Sequence, residues 1–308
     1  MPVIWKGVMP AVTTKFDENG DVVLPAFEKN LKAQIDAGVS ALILGGTLGE
    51  SSVLEVTEKK LLVDTALVVA EKRVPVILNI AEGSLREALR QTALAEEWGA
   101  EGLMVLPPMR YKSDHRETVH WYKTIAKSTS LPILVYNNPV DYKTEITLDM
   151  FAEFAEMENI QAVKESTRDV TNVTRMKNKF GDRFKILCGV DTLSMEELVL
   201  GADGLVAGLV CAFPAETVWL YKLVKQGRIK EATALYRWFM PLLELDIHPK
   251  LVQYIKLAES VVGLGTEHVR EPRLPLAGEE RERVLKIIKD AVACRPGIPE
   301  SLVADTAQ

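Results

Sequence analysis

The sequence predicts an α/β protein of the TIM-barrel class, a closed (β/α)8 barrel, followed by a C-terminal helical appendage. Short apolar runs alternate with longer segments of helical periodicity up to about residue 228, and eight such runs occur in succession. The runs are apolar on both faces, and such strands need cover on both sides, which an outer ring of helices provides. An open parallel sheet covered on both faces is the alternative.

The predicted strands are three to six residues long and rich in aliphatic side chains. They are Val8–Thr13, Ser40–Leu44, Val74–Asn79, Gly102–Leu106, Pro132–Tyr136, Ala162–Lys164, Phe184–Cys188 and Gly204–Gly208. The segments between them carry apolar residues at every third or fourth position, which predicts crossover helices. These include Leu24–Ala37, Thr57–Glu71, Leu85–Trp98, Thr118–Ser128, Leu148–Met157 and Leu193–Leu200.

The pattern changes after Gly227, because no further strand signal follows. Helical periodicity covers Ile229–Leu245, Leu251–Leu264 and Glu280–Ala293, and the last segment, Arg295–Gln308, predicts a loosely held tail. We therefore expect a catalytic barrel domain over residues 1–228 and a helical region over residues 229–308.

The composition is that of an ordinary globular protein. The 308 residues are 47% hydrophobic and 26% charged, and the net charge of -6 gives no positive field for nucleic acid or anionic lipid. Three widely spaced cysteines are typical of a reducing compartment. The start of the chain lacks the pattern of a secretory signal, and no apolar run is long enough to cross a membrane. We expect a cytoplasmic protein.

Barrels of this class build their chemistry at the carboxyl ends of the strands. After the second predicted strand, a glycine-rich turn brings the backbone N–H groups of Gly46 to Leu48 and the Thr47 hydroxyl to one point, an arrangement that can bind a carboxylate. A plain tight turn that caps the next helix is the alternative. The spacing of nucleotide-binding loops is missing, which disfavours ATP and NAD.

Two further strand ends carry reactive groups. Lys164 ends the sixth predicted strand, where an apolar pocket would favour the neutral amine and allow it to form a Schiff base with a carbonyl compound. Tyr136 ends the neighbouring fifth strand, where its phenol could relay protons. A lysine that reaches solvent and a tyrosine that only packs are the alternatives. The histidines are too scattered for a metal site, and none is expected.

These strand ends together resemble the dihydrodipicolinate synthase / N-acetylneuraminate lyase family of Schiff-base aldolases and dehydratases. The motifs are Gly46-Thr47-Leu48-Gly49-Glu50, Tyr136-Asn137-Asn138-Pro139 and Val163-Lys164-Glu165-Ser166. The resemblance implies a cofactor-free enzyme, usually a homotetramer. In it Lys164 captures a 2-oxo acid, Tyr136 transfers protons, and Gly46, Thr47 and Leu48 hold the substrate carboxylate.

The chain departs from the enzyme that gives the family its name. Leu48 replaces a second threonine, Met109 stands where a tyrosine of the proton relay is expected, and no arginine is found near Asp141. These departures disfavour lysine biosynthesis. Residues 235–243, 252–257 and 271–276 are instead similar to the bacterial 1-pyrroline-4-hydroxy-2-carboxylate deaminases of hydroxyproline degradation.

This resemblance implies a deaminase that converts 1-pyrroline-4-hydroxy-2-carboxylate to 2,5-dioxopentanoate and ammonia. After the seventh strand, Gly189 and Asp191 are expected to touch the substrate, with a loop cap as the alternative role for Asp191. A 2-oxo-3-deoxy sugar acid aldolase or dehydratase is the chief rival, and dihydrodipicolinate synthase is less favoured. A non-catalytic barrel that senses a small 2-oxo acid is the alternative outside the enzyme class. The expected ligand is in each case a small 2-oxo acid or a cyclic imino acid.

Overall fold

A computed structural model describes residues 2–108 and 111–297. Its eight parallel strands neighbour one another in the order β1-β8-β7-β6-β5-β4-β3-β2. A parallel bridge between Ala11 and Ile43 joins the two ends of this order, so the sheet closes on itself. The predicted (β/α)8 barrel is confirmed. The strands are β1 Gly7–Pro10, β2 Leu42–Leu44, β3 Val76–Ile80, β4 Gly102–Val105, β5 Ile133–Asn137, β6 Ile160–Glu165, β7 Lys185–Cys188 and β8 Gly204–Ala207.

Helices surround the barrel and end within a few residues of the predicted bounds. They are α1 Leu24–Asp36, α2 Val56–Ala70, α3 Leu85–Glu97, α4 His115–Lys127, α5 Pro139–Tyr142, α6 Leu148–Phe154, α7 Thr171–Phe180, α8 Ser194–Val199 and α9 Pro214–Lys225. Helix α9 was not among the predicted helices. Two further segments were not predicted: α5, which has only four residues, and α7, which buries little more than Val173 and Met176. Neither segment carries enough apolar residues for a clear periodic signal.

Three longer helices follow the barrel, as expected: α10 Ile229–Leu243, α11 Leu251–Val261 and α12 Gly278–Ala293. The barrel helix α9 ends at Lys225, close to the expected boundary at residue 228, although the division into two folding units remains a prediction. Most of the expected tail, residues 298–308, lies outside the described residues. Among the described residues, no helix combines the length and apolar character needed to cross a bilayer.

Helix α11 is joined to the mouth of the barrel by two ion pairs whose side chains are fully buried. Lys256 Nζ lies 2.7 Å from Glu50 Oε1, and Lys15 Nζ lies 3.0 Å from Glu259 Oε1. Thr13 also donates a hydrogen bond of 2.7 Å to Glu259. Burial lowers the pKa of Lys256 to about 8, although Glu50 opposes this effect. The charged form of each buried side chain is therefore stabilised by its ion-pair partner, because the protein interior solvates charges poorly.

Removing one partner of such a pair is expected to destabilise the fold. Lys256→Met leaves the Glu50 carboxylate without its ammonium partner and is expected to lower the free energy of unfolding by about 3–5 kcal/mol. Denaturant unfolding followed by circular dichroism measures this loss. Lys60→Met is the control, because its pair with Asp64 is half exposed and is worth less than about 1 kcal/mol. Equal effects of the two substitutions would contradict a structural role for the buried pair.

Candidate active site

The register of β5 and β6 places Lys164 beside Tyr136, because the two residues are directly paired positions of these parallel strands. Lys164 Nζ lies 4.1 Å from the centroid of the Tyr136 ring, and the lysine is only 7% exposed. Burial lowers the pKa of Lys164, while the neighbouring acidic groups of Tyr142 and Asp246 act in the opposite direction. Burial also raises the pKa of Tyr136. The amine is thus biased toward its neutral, nucleophilic form beside a protonated phenol.

Gly189 provides the space that the lysine side chain occupies. A methyl group on Gly189 would lie 2.6 Å from Cγ and 2.7 Å from Cε of Lys164, and 2.2 Å from Ser166 Oγ. These separations are far shorter than van der Waals contact. The residue at position 189 therefore determines whether Lys164 can extend toward the barrel mouth.

Asn138 orients the Tyr136 hydroxyl. It follows β5 and begins α5, where its side-chain oxygen accepts a hydrogen bond of 3.1 Å from the Asp141 backbone N–H. Its side-chain nitrogen donates to Tyr136 Oη at 3.1 Å and to Asp141 Oδ2 at 2.7 Å. Because Tyr136 Oη accepts this bond, its own proton is available for a substrate.

The glycine-rich turn lies across the mouth from Lys164. Asn79 donates a 3.0 Å hydrogen bond to the Gly45 carbonyl, and Gly45 has a φ of 68°, a left-handed conformation suited to glycine. Thr47 Oγ1 lies 2.7 Å from Tyr142 Oη. Within the described residues, the backbone N–H groups of Thr47 and Leu48 donate to no protein oxygen. Two backbone donors without a protein acceptor and a hydroxyl pair thus lie on the cavity wall, which is compatible with the predicted binding of a carboxylate.

A cavity of about 500 Å³ opens at this rim and brings most of the predicted site together. Six of the seven predicted residues line it: Gly46, Thr47, Leu48, Tyr136, Lys164 and Gly189. Asp191 is not among the described residues that line it. Its carboxylate accepts hydrogen bonds from the backbone N–H groups of Gly208, at 3.1 Å, and Leu209, at 2.8 Å. This is the loop-capping geometry that the sequence left open for Asp191.

Sequence reasoning missed several residues of the cavity. Tyr142 lines the cavity and lies three residues after the Tyr-Asn-Asn-Pro motif. Because that motif was placed at a strand end, the residues just after it could have been predicted to lie near the site. Arg168 and Asp246 also line the cavity, but Asp246 comes from the helical region and carried no signal. Met109, which stands in for a family tyrosine, lies outside the described residues.

In the described part of the chain, no three His, Cys, Asp or Glu side chains lie close enough together to bind a metal ion. Cys188 and Cys211 are buried, and Cys294 is exposed. Burial raises the pKa of the Cys188 thiol well above its usual range, which disfavours a thiolate nucleophile. The cysteines do not line the cavity, whereas the Lys164 amine does.

A desolvated lysine at the end of a barrel strand, beside a tyrosine and an anion-binding turn, defines an enzyme of the class I, Schiff-base-forming type. The model of the Dihydrodipicolinate synthetase family matches residues 4–291. The chain belongs to this family of lyases.

Several relatives match nearly the whole length of the chain. A 4-hydroxy-tetrahydrodipicolinate synthase from Exiguobacterium sibiricum is 31% identical over 276 residues, which cover 89% of this chain and 92% of the relative. A synthase from Syntrophus aciditrophicus is 28% identical, with coverage of 93% and 98%. The crystal structure of a Bacillus anthracis dihydrodipicolinate synthase has a TM-score of 0.89 at 30% identity, covering 97% of this chain and all of that chain. Another solved relative is a monomeric dihydrodipicolinate synthase variant, with a TM-score of 0.86 at 27% identity over 94% of this chain and 97% of that chain.

The lowered pKa of Lys164 predicts a shifted pH dependence of covalent capture. A lysine with its ordinary pKa of 10.5 is protonated across neutral pH, whereas a lowered pKa frees the amine at lower pH. The rate of borohydride trapping with pyruvate is therefore expected to rise with pH, with a midpoint below 10.5. Mass spectrometry of the trapped protein gives the rate. A midpoint at or above the ordinary value would contradict the desolvated amine, and Lys164→Ala, which lacks the amine, supplies the background.

Gly189→Ala is expected to impair Schiff-base formation, because the added methyl group collides with the Lys164 side chain. Trapping with pyruvate is expected to fall by at least about tenfold, equivalent to about 1.4 kcal/mol. Gly297→Ala is the control, since no atom of the described residues lies within 4 Å of the methyl group that it adds. Unchanged trapping in Gly189→Ala would show that the lysine has room to move aside.

Proposed function

We propose that this protein is a Schiff-base-forming deaminase that converts 1-pyrroline-4-hydroxy-2-carboxylate to 2,5-dioxopentanoate and ammonia. The main observation in support of this proposal is the buried Lys164 amine, which lies 4.1 Å from the Tyr136 ring centroid. The cavity that contains it is also lined by the glycine-rich turn expected to bind the carboxylate. A cavity of about 500 Å³ accommodates a small cyclic imino acid.

In the first stage of this reaction, the substrate carboxylate binds the N–H groups of Thr47 and Leu48. The Lys164 amine attacks the neighbouring imine carbon, C2. The bond from C2 to the ring nitrogen breaks, and that nitrogen becomes an amine on C5 of the open chain. Both hydrogens that Nζ loses are matched by the two that the ring nitrogen gains, so this transimination needs no water.

In the second stage, the Schiff base acidifies the protons on C3. Tyr136 mediates proton removal from C3 and protonation of the 4-hydroxyl, which leaves as water. Tautomerisation turns the C5 amine into an imine, and its hydrolysis releases ammonia. Hydrolysis at Lys164 then frees 2,5-dioxopentanoate. One water leaves and two enter, so the net reaction consumes one water.

Dihydrodipicolinate synthase is the second candidate, and the names of the relatives favour it more directly than they favour the deaminase. The residues of the cavity disfavour the synthase. Leu48 places hydrocarbon in the turn, and α5 supplies Asp141 and Tyr142 to the cavity but contains no arginine. A sugar acid aldolase or dehydratase would use the same lysine and tyrosine, so the substrate must decide among the three.

The family resemblance also leads us to propose a homotetramer in the cytoplasm. Among solved relatives, the monomeric synthase variant indicates that assembly differs within this fold. Sedimentation of the purified protein distinguishes a tetramer from a monomer of 34.2 kDa.

A substrate panel with three product assays tests the proposed function. Wild-type protein is expected to release ammonia from 1-pyrroline-4-hydroxy-2-carboxylate, and Lys164→Ala is expected to release none while keeping its circular dichroism spectrum. Release of pyruvate from a 2-oxo-3-deoxy sugar acid would favour the aldolase. Formation of 4-hydroxy-tetrahydrodipicolinate from pyruvate and a four-carbon amino-acid aldehyde would favour the synthase. If the protein releases no ammonia but shows one of the other two activities, the proposed deaminase function is wrong.

A further inference from the structure

The helical region contributes one acid to the cavity. Asp246 lies on a single 3₁₀ turn, Glu244–Ile247, which connects α10 with α11. Its carboxylate reaches over the end of β8, because a methyl group on Gly208 would lie only 2.1 Å from Asp246 Oδ1. The same methyl group would lie 2.8 Å from Leu48 Cδ1. The acid thus sits on the cavity wall formed by the first residue after β8 and the anion-binding turn.

Asp246 is half-buried, yet it has no hydrogen bond or ion pair with any residue in the described ranges. The other two acids near the cavity are already engaged. Asp191 accepts backbone N–H groups, and Asp141 accepts the Asn138 side-chain nitrogen. Burial raises the pKa of Asp246 well above its usual range, Asp191 and Asp141 act in the same direction, and Lys164 opposes the shift.

A half-buried carboxyl group on the wall of an open cavity, without a hydrogen-bond partner among the described residues, is available to accept a donor from a ligand. In the proposed reaction, the substrate carboxylate is held at the glycine-rich turn and C2 is bound to Lys164. The remaining polar groups of the open chain are the 4-hydroxyl and the C5 amine. Of these two, the amine is the group that becomes a cation, and a carboxylate binds a cation most strongly.

We propose that Asp246 binds the amine nitrogen released when the cyclic imine opens on Lys164. The proposal rests on the proposed function and extends it to the ligand class: a 2-oxo acid or cyclic imine that carries a basic nitrogen at the end remote from its carboxylate. It also assigns to the helical region a contact that the sequence analysis sought at Asp191.

Two ligands that differ in the amine test this assignment without requiring deamination. Pyruvate has the carboxylate and carbonyl but no amine, whereas 1-pyrroline-2-carboxylate opens to an amine and lacks the 4-hydroxyl needed for dehydration. Borohydride trapping on Lys164 is titrated with each ligand. Asp246→Asn is expected to weaken apparent affinity for the pyrroline by roughly 10- to 100-fold relative to pyruvate, because a charged hydrogen bond is lost. The effect of Asp246 on the pKa of Lys164 acts on both ligands, so the ratio of the two affinities removes it.

Glu244→Gln is the matched control, because it removes the same charge from the same turn at an exposed position and is expected to affect neither ligand. Equal loss for both ligands, or no loss for either, in Asp246→Asn would overturn the assignment. Asp246→Ser is measured in parallel, so that a folding defect of one variant leaves the comparison intact. Wild-type protein that traps pyruvate but never the pyrroline would instead reject the proposed substrate, and the assignment with it.

Discussion

The two buried ion pairs between the barrel mouth and α11 are the interaction on which the site depends. Glu50 directly follows the glycine-rich turn and is paired with Lys256, and Lys15 is paired with Glu259 on the same helix. Buried charges of this kind are stable only while both partners are in place. The turn and the helical region are consequently fixed relative to each other, and with them the cavity between Lys164 and Asp246.

The reactivity expected of Lys164 results mainly from its burial, which removes water from the amine, and less from any residue in direct contact with it. Its pKa is lowered first by burial, and the surrounding negative groups oppose the shift. The strand register supplies Tyr136 at the neighbouring position, and Asn138 orients its hydroxyl. The proposed nucleophile and the proposed proton carrier therefore come from adjacent strands, so their separation is set by the strand register and not by a loop.

Sequence patterns predicted the barrel and its reactive rim because both depend on local signals. Apolar runs define strands, and parallel strands bring their carboxyl ends to one side, so Lys164 and Tyr136 had to be neighbours once the barrel was inferred. The same logic could not assign Asp191, since a carboxylate that caps backbone N–H groups and one that binds substrate look alike in sequence. Asp246 could not be predicted from the sequence, because its position depends on how α10 and α11 pack over the barrel mouth. This is a long-range contact that leaves no periodic pattern in the sequence. Tyr142 was accessible in principle, because it belongs to the segment after a predicted strand.

The position of Asp246 on a connecting turn also bears on how such enzymes diversify. The eight strands must preserve their hydrogen-bond ladder and the lysine, which leaves little freedom to mutate. The Glu244–Ile247 turn makes no contribution to that ladder. Under the role proposed for Asp246, a single exchange in this turn changes which ligands are accepted and leaves the Lys164 amine in place. On this proposal, substrate preference and covalent capture are controlled by segments about 80 residues apart in the chain, the Glu244–Ile247 turn and strand β6, so that one can change without the other.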